Sequence, residues 1–109
     1  MKNIVFMLTK APSGRREPEE ALRLAIEAIK DGNKASIYLF SDAVFYAKRK
    51  QKAIEEAIAL GARIYAAREE LLSRGLNENY LIKGIEIPDD IIKVFIEDVM
   101  ERADSVWSF

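Results

Sequence analysis

The chain contains neither cysteine nor histidine. Without cysteine there can be no disulfide, no thiolate metal site and no persulfide carried on this chain. Without histidine the usual general base and the commonest metal ligand are gone. Catalysis would have to rest on carboxylate, lysine, tyrosine or hydroxyl groups tuned by a pocket. Long apolar runs are missing too. The longest, such as 4–8 and 37–40, fall far short of the roughly 18 residues that cross a bilayer, so no membrane contact is expected. After Met1 and Lys2 the sequence enters a strand-like run, with no longer apolar region or small-residue cleavage site of the secretory kind. The expected location is the cytoplasm.

What is present is a globular composition. Half of the 109 residues are hydrophobic and 32% are charged, too apolar for a disordered tail and enough for a core built without staples. One domain, 1–109, is the expectation. The net charge of −1 hides an asymmetry. Residues 1–54 carry 11 Lys and Arg against 6 Asp and Glu, whereas residues 55–109 carry 6 against 12.

Residues 3–9 read as a strand buried on both faces, because Ile4, Val5, Phe6, Met7 and Leu8 are continuously apolar. Pro18, Glu19 and Glu20 suit a first helical turn, Leu22, Ala25, Ile26 and Ile29 recur at helical spacing, and Asp31-Gly32 supplies a left-handed stop. Residues 35–40 make a second strand. The segment 43–60 reads as a helix interrupted by the charged run 48–52. Residues 62–66 follow as a third strand and 68–73 as a short helix. A short fourth strand is expected within 81–87. Pro88-Asp89-Asp90 then opens a helix with Ile92, Phe95, Ile96, Val99 and Ala103 on one face, and 105–109 form a fifth strand. Strand–helix alternation predicts right-handed crossovers and an α/β fold: one three-layer α/β/α domain with a mainly parallel five-stranded sheet.

In such sheets ligands bind outside the carboxyl ends of the strands, which directs attention to three loops. Ser13, Gly14 and Arg15, with Arg16, precede a helix and could hold a small anion through backbone N–H groups and guanidinium charge; an ordinary solvated loop accounts for them as well. Ser41 and Asp42 stand where a strand turns into a helix, as ligand contacts or as a plain N-cap. Ala67 and Arg68 follow the third strand, and Arg68 is either a surface charge or the cation nearest a ligand. No P-loop or dinucleotide glycine pattern is present, and no cofactor or metal is implied. The run 48–52 reads as a solvated face rather than a nucleic-acid surface, since it lacks interleaved aromatics. Tyr38, Tyr65 and Trp107 read as core or interface residues.

The order and spacing of several segments resemble the DsrE/DsrF-like sulfur-relay family, which includes the TusB, TusC and TusD proteins. They are the strand 3–9 with its short loop, Ala21-Leu22-Arg23-Leu24-Ala25, 37–40 followed by Ser41-Asp42-Ala43-Val44, 61–65, Ser73-Arg74-Gly75-Leu76 and Ala103-Asp104-Ser105-Val106. The resemblance implies a compact α/β/α domain, assembly as a homotrimer or homohexamer, and, in active members, a persulfide cysteine just after the third strand. The matching segment here is Ala66-Ala67-Arg68, without a thiol. The expectation is therefore a non-catalytic subunit that binds itself, a thiol-bearing sulfur-relay protein or a small anion. An enzyme using Asp42, Lys10 or Arg68 at the strand ends is the alternative.

Overall fold

A computed structural model describes residues 1–10, 16–48 and 51–109, with the side chains of 16–18 and 78 set aside. Its strands are β1 (Asn3–Leu8), β2 (Lys34–Leu39), β3 (Arg63–Ala66) and β4 (Ser105–Ser108). Its α-helices are α1 (Arg16–Lys30), α2 (Lys52–Ala59), α3 (Arg68–Ser73) and α4 (Ile91–Glu97). The strands pair in the order β3-β2-β1-β4, every neighbouring pair parallel.

The side-chain alternation of these strands divides the core into two layers. Phe6, Leu8, Ile37, Leu39, Ile64 and Ala66 face α1 and α2 and pack on Leu22, Ala25, Ile26, Ile54 and Ala57. Val5, Tyr38 and Tyr65 face the other way and are covered by Ile91, with Val94, Phe95 and Val99 packed against them. The result is a three-layer α/β/α arrangement. Tyr38 and Tyr65 are core residues, stacked with ring centroids 4.6 Å apart. Trp107 is different: on the edge strand β4 it is 52% exposed, lining a groove with Leu24, Glu27 and Ala28 of α1.

Two segments depart from the sequence reading. The expected strand within 81–87 does not form, so the sheet has four strands, not five. Gly84, at φ +105°, and a turn in which Ile85 N–H donates to the Ile82 carbonyl at a long 3.4 Å bend this run. Only Glu86 then reaches β3, exchanging backbone bonds with Ile64 and Ala66 at 2.8 and 3.0 Å. Its isoleucines cap the sheet edge instead: Ile82 is buried, while Ile85 and Ile87 pack on the core.

The last helix is also rotated from its expected face. Asp90 caps it, accepting a bond from Lys93 N–H at 3.1 Å, and Ile91, Val94, Phe95 and Val99 point inward. Ile92 and Ile96 are about half exposed, and the α-helix passes into a wider π-type turn, Asp98–Arg102, that brings the Asp98 carboxylate under the helix. The interruption at 48–52 does appear: a 3-10 helix, Ser41–Ala47, ends before Lys48, and α2 begins at Lys52. No helix among the described residues is long and apolar enough to cross a membrane.

Candidate functional site

Because all four strands are parallel, their carboxyl ends lie together, and the loops that leave β2 and β3 are neighbours. Ser13, Gly14 and Arg15, expected after β1, lie outside the described residues. Ser41 follows β2 with φ +53°, the only non-glycine residue among those described in the left-handed region. Such a conformation costs on the order of 1 kcal/mol and persists only where its surroundings enforce it.

The plain capping role for Ser41 and Asp42 does not hold. Phe40 occupies the N-cap of the 3-10 helix, with no side-chain cap bond. The Asp42 carboxylate instead accepts a bond from Arg74 Nε at 3.0 Å, tying the loop after β2 to the end of α3. Arg74 also donates to the Glu70 carbonyl and to Ser73 Oγ, which fixes its guanidinium. In the sequence Arg74 marks only the close of a short helix. Its partner lies 32 residues away and becomes visible only when β2 and β3 are laid side by side.

Ala67 is the N-cap of α3 and is 3% exposed. Its methyl belongs to the layer that holds Tyr38 and Tyr65 rather than to an open mouth. Arg68 turns outward and donates to Asp89 at 3.3 Å, an exposed pair of little energetic weight. The structure thus brings Ser41 and Asp42 against α3 and leaves Arg68 at a different surface.

That surface is concave. Arg68 stands at the junction of two grooves, of about 350 and 510 Å³. Leu71, Leu72, Leu76, Leu81 and Ile87 line the first, with Asn77 and Asn79 at its rim. Leu81, Ile82, Lys83, Gly84, Ile85 and Ile87 line the second. Neither is lined by Ser41, Asp42 or Ala67. Sequence reasoning missed these walls, because a segment read as a strand carries no signal of a groove. Glu70, in the first turn of α3, has a buried Oε2 with no hydrogen-bond partner among the described residues. An orphaned buried oxygen of this kind is uncommon. Among the described residues no group of acidic side chains is arranged to hold a metal.

Fold and strand ends together define a doubly wound α/β/α protein with a four-stranded parallel sheet. No protein-family model matches the chain. It is 31% identical over 93 residues to the uncharacterized protein MK0008 of Methanopyrus kandleri, covering 77% of each chain. It is also 31% identical over 90 residues to the uncharacterized protein MJ0989 of Methanocaldococcus jannaschii, covering 74% of this chain and 79% of the relative. The chain belongs to the family of these two archaeal proteins. Among solved structures it is similar over its whole length to YchN of E. coli, with a TM-score of 0.85 and 26% identity, all of YchN being covered. MTH1491 of Methanobacterium thermoautotrophicum shares the fold at a TM-score of 0.75 and 15% identity, over 98% of this chain and 99% of the other.

Proposed function

We propose that the chain is a non-catalytic DsrE/DsrF-like protein that acts by binding, as an oligomeric or partner subunit related to the sulfur-relay proteins. The observation that carries this reading is Ala67. At the strand-end position that the family resemblance gives to a persulfide cysteine stands a buried methyl group, and the surface beside it is an apolar groove fronted by Arg68. A relay needs a thiolate there, whereas a groove needs only shape and charge. The likeness to YchN over the full chain supports the family assignment.

On this reading the groove receives an apolar segment of a thiol-bearing relay protein in the cytoplasm, with an acidic side chain replacing Asp89 on Arg68. A second copy of this chain covers the face formed by α4 and β4. Ile92, Ile96, Met100 and Val106 are exposed there, a set of large apolar side chains on one side of the sheet of the kind that marks an interaction surface. Light scattering at micromolar concentration should give three or six times the chain mass of 12.4 kDa, and Ile96→Asp combined with Met100→Asp should lower it. A wild-type mass of 12.4 kDa in moderate salt overturns the assembly. Intact-mass measurement after exposure to a persulfide donor should show no added sulfur; a gain of one sulfur atom overturns the non-catalytic reading.

A further inference from the structure

The amino ends of the strands carry a second concavity, on the α4 side of the sheet and away from the proposed partner groove. α4 and its π-type turn pack on Val5, Tyr38 and Tyr65, and Asp98 and Arg102 of the turn border the row below. Strand alternation gives that row its members: Lys34, Ser36 and Arg63 share the face of Tyr38 and Tyr65, and Ser36 is in register with both Val5 and Arg63. A polar residue in the middle of a central strand is out of place under a helix. Here it lines a cavity bordered by the π-type turn. The cavity has a volume of about 360 Å³, and its polar lining includes Lys34, Ser36, Arg63, Tyr65, Asp98 and Arg102.

Arg63 is anchored by its partner, and both arginines keep donors to spare. Arg63 donates from Nε and Nη2 to the Glu86 carboxylate, both at 3.2 Å, and its guanidinium lies 5.8 Å from the Tyr65 ring centroid. This leaves Nη1 without a partner among the described residues. Arg102 donates from Nε alone to Asp98 Oδ1 at 3.4 Å, so both of its terminal nitrogens are likewise uncommitted. Asp98 is 7% exposed, and its other oxygen accepts the Tyr38 hydroxyl at 2.8 Å. The lining carboxylate is thus already satisfied, while the Lys34 ammonium and the hydroxyls of Ser36 and Tyr65 have no hydrogen-bond partner among the described residues. Three cations against two committed carboxylates, Asp98 and Glu86, leave an excess of positive charge that selects for an anion, and a guanidinium anchored by a second partner, as Arg63 is by Glu86, suits an oxyanion.

We propose that this cavity is a binding site for an oxyanion, with Arg102, Arg63 and Lys34 supplying the charge and Ser36 a neutral donor. The space exceeds that of a bare tetrahedral anion, and the side chains of Val5 and Tyr65 add apolar wall, so the ligand is the phosphate or carboxylate end of a small organic molecule. The site is independent of the partner groove, and either can fail without the other.

The test is a titration of isotope-labelled protein followed by backbone amide shifts, at constant ionic strength in chloride, with inorganic phosphate in one arm and phenyl phosphate in the other. Saturable shifts at Ser36, Arg63 and Asp98 are expected, with phenyl phosphate the tighter probe. Tighter inorganic phosphate would instead assign the site to the free ion. Arg102→Gln should weaken binding by about tenfold or more, the value of a charge-assisted hydrogen bond. Lys34→Gln, at an exposed position and outside every ion pair of the described residues, should weaken it about threefold without risk to folding. Arg68→Gln, at the opposite end of the sheet, should leave it unchanged. Shifts that never saturate, that centre on Arg68, or that survive both Arg102→Gln and Lys34→Gln would overturn the proposal.

Discussion

Replacing Tyr38 by Phe removes one oxygen atom from the middle of the α4-side core. The ring stack on Tyr65 at 4.6 Å and the edge contact with Phe95 at 5.0 Å both survive, because they need only the ring. What is lost is the hydroxyl that donates to Asp98 Oδ2 at 2.8 Å. Asp98 is 7% exposed, so water has little access to the oxygen left behind, and Arg102 holds only the other oxygen at a long 3.4 Å. A buried hydrogen bond to a charged acceptor is worth about 1.5–3 kcal/mol. In a domain of this size each kcal/mol moves the midpoint by roughly 4 °C, so Tyr38→Phe should melt about 6–12 °C below wild type at the same protein concentration.

Tyr65→Phe is the matched control. Its hydroxyl has no hydrogen-bond partner among the described residues, and its loss should stay within about 0.5 kcal/mol. Removing both partners, as Tyr38→Phe with Asp98→Ala, should cost less than the sum of the two single changes, since no orphaned charge remains. If Tyr38→Phe melts with Tyr65→Phe, water reaches Asp98 and the reasoning fails.

Stability should also fall in alkali. Burial, reinforced by Asp98 at Tyr38 and by Glu19 at Tyr46, raises both phenols well above their ordinary pKa of 10.0. The unfolded chain therefore sheds these protons first; the stabilisation is complete below pH 10 and is lost above it, at roughly 1 kcal/mol per pH unit for each group. Urea midpoints from pH 9 to 11 should show that fall, made shallower by Tyr46→Phe. Gly84→Ala should destabilise by about 1–3 kcal/mol, because φ is +105° and the new methyl would stand 3.1 Å from Ile58 Cγ2. Gly61→Ala, at φ +104° with open space around it, should cost less, and equal losses in chemical denaturation would refute the steric part of the account. Ala67→Cys should react with a thiol reagent far more slowly than Lys83→Cys at an exposed position, since Ala67 is buried; labelling at the exposed rate would reveal an open relay pocket.

Much of the fold was legible in one dimension. The continuous apolar run of β1 declared a strand covered on both faces, and the helical spacing of Leu22, Ala25 and Ile26 marked the face of α1 that the core receives. α3 occupies the very residues the sequence indicated, and the charged run 48–52 did separate two helices. These features rest on local periodicity and on turn residues, which the tertiary contacts of those segments reinforced. The chemistry that this protein lacks was equally plain, since a missing thiol needs no coordinates.

Tertiary structure decided what depends on partners distant in the chain. The apolar residues of 81–87 fit a strand locally, but the bend at Gly84 leaves Glu86 as the one residue that pairs with β3, and the isoleucines become a groove wall. The rotation of α4 accompanies the packing of Ile91, Val94, Phe95 and Val99 and the bond from Tyr38 to Asp98, 60 residues later, and it leaves Ile92 and Ile96 in solvent. At the strand ends Asp42 was visible as a charge, but its partner Arg74 was not. The cavity of Lys34, Ser36, Arg63 and Arg102 draws on three separate strands or turns. Pairing and shared surfaces are properties of contacts between segments, and a linear sequence displays the segments without their contacts.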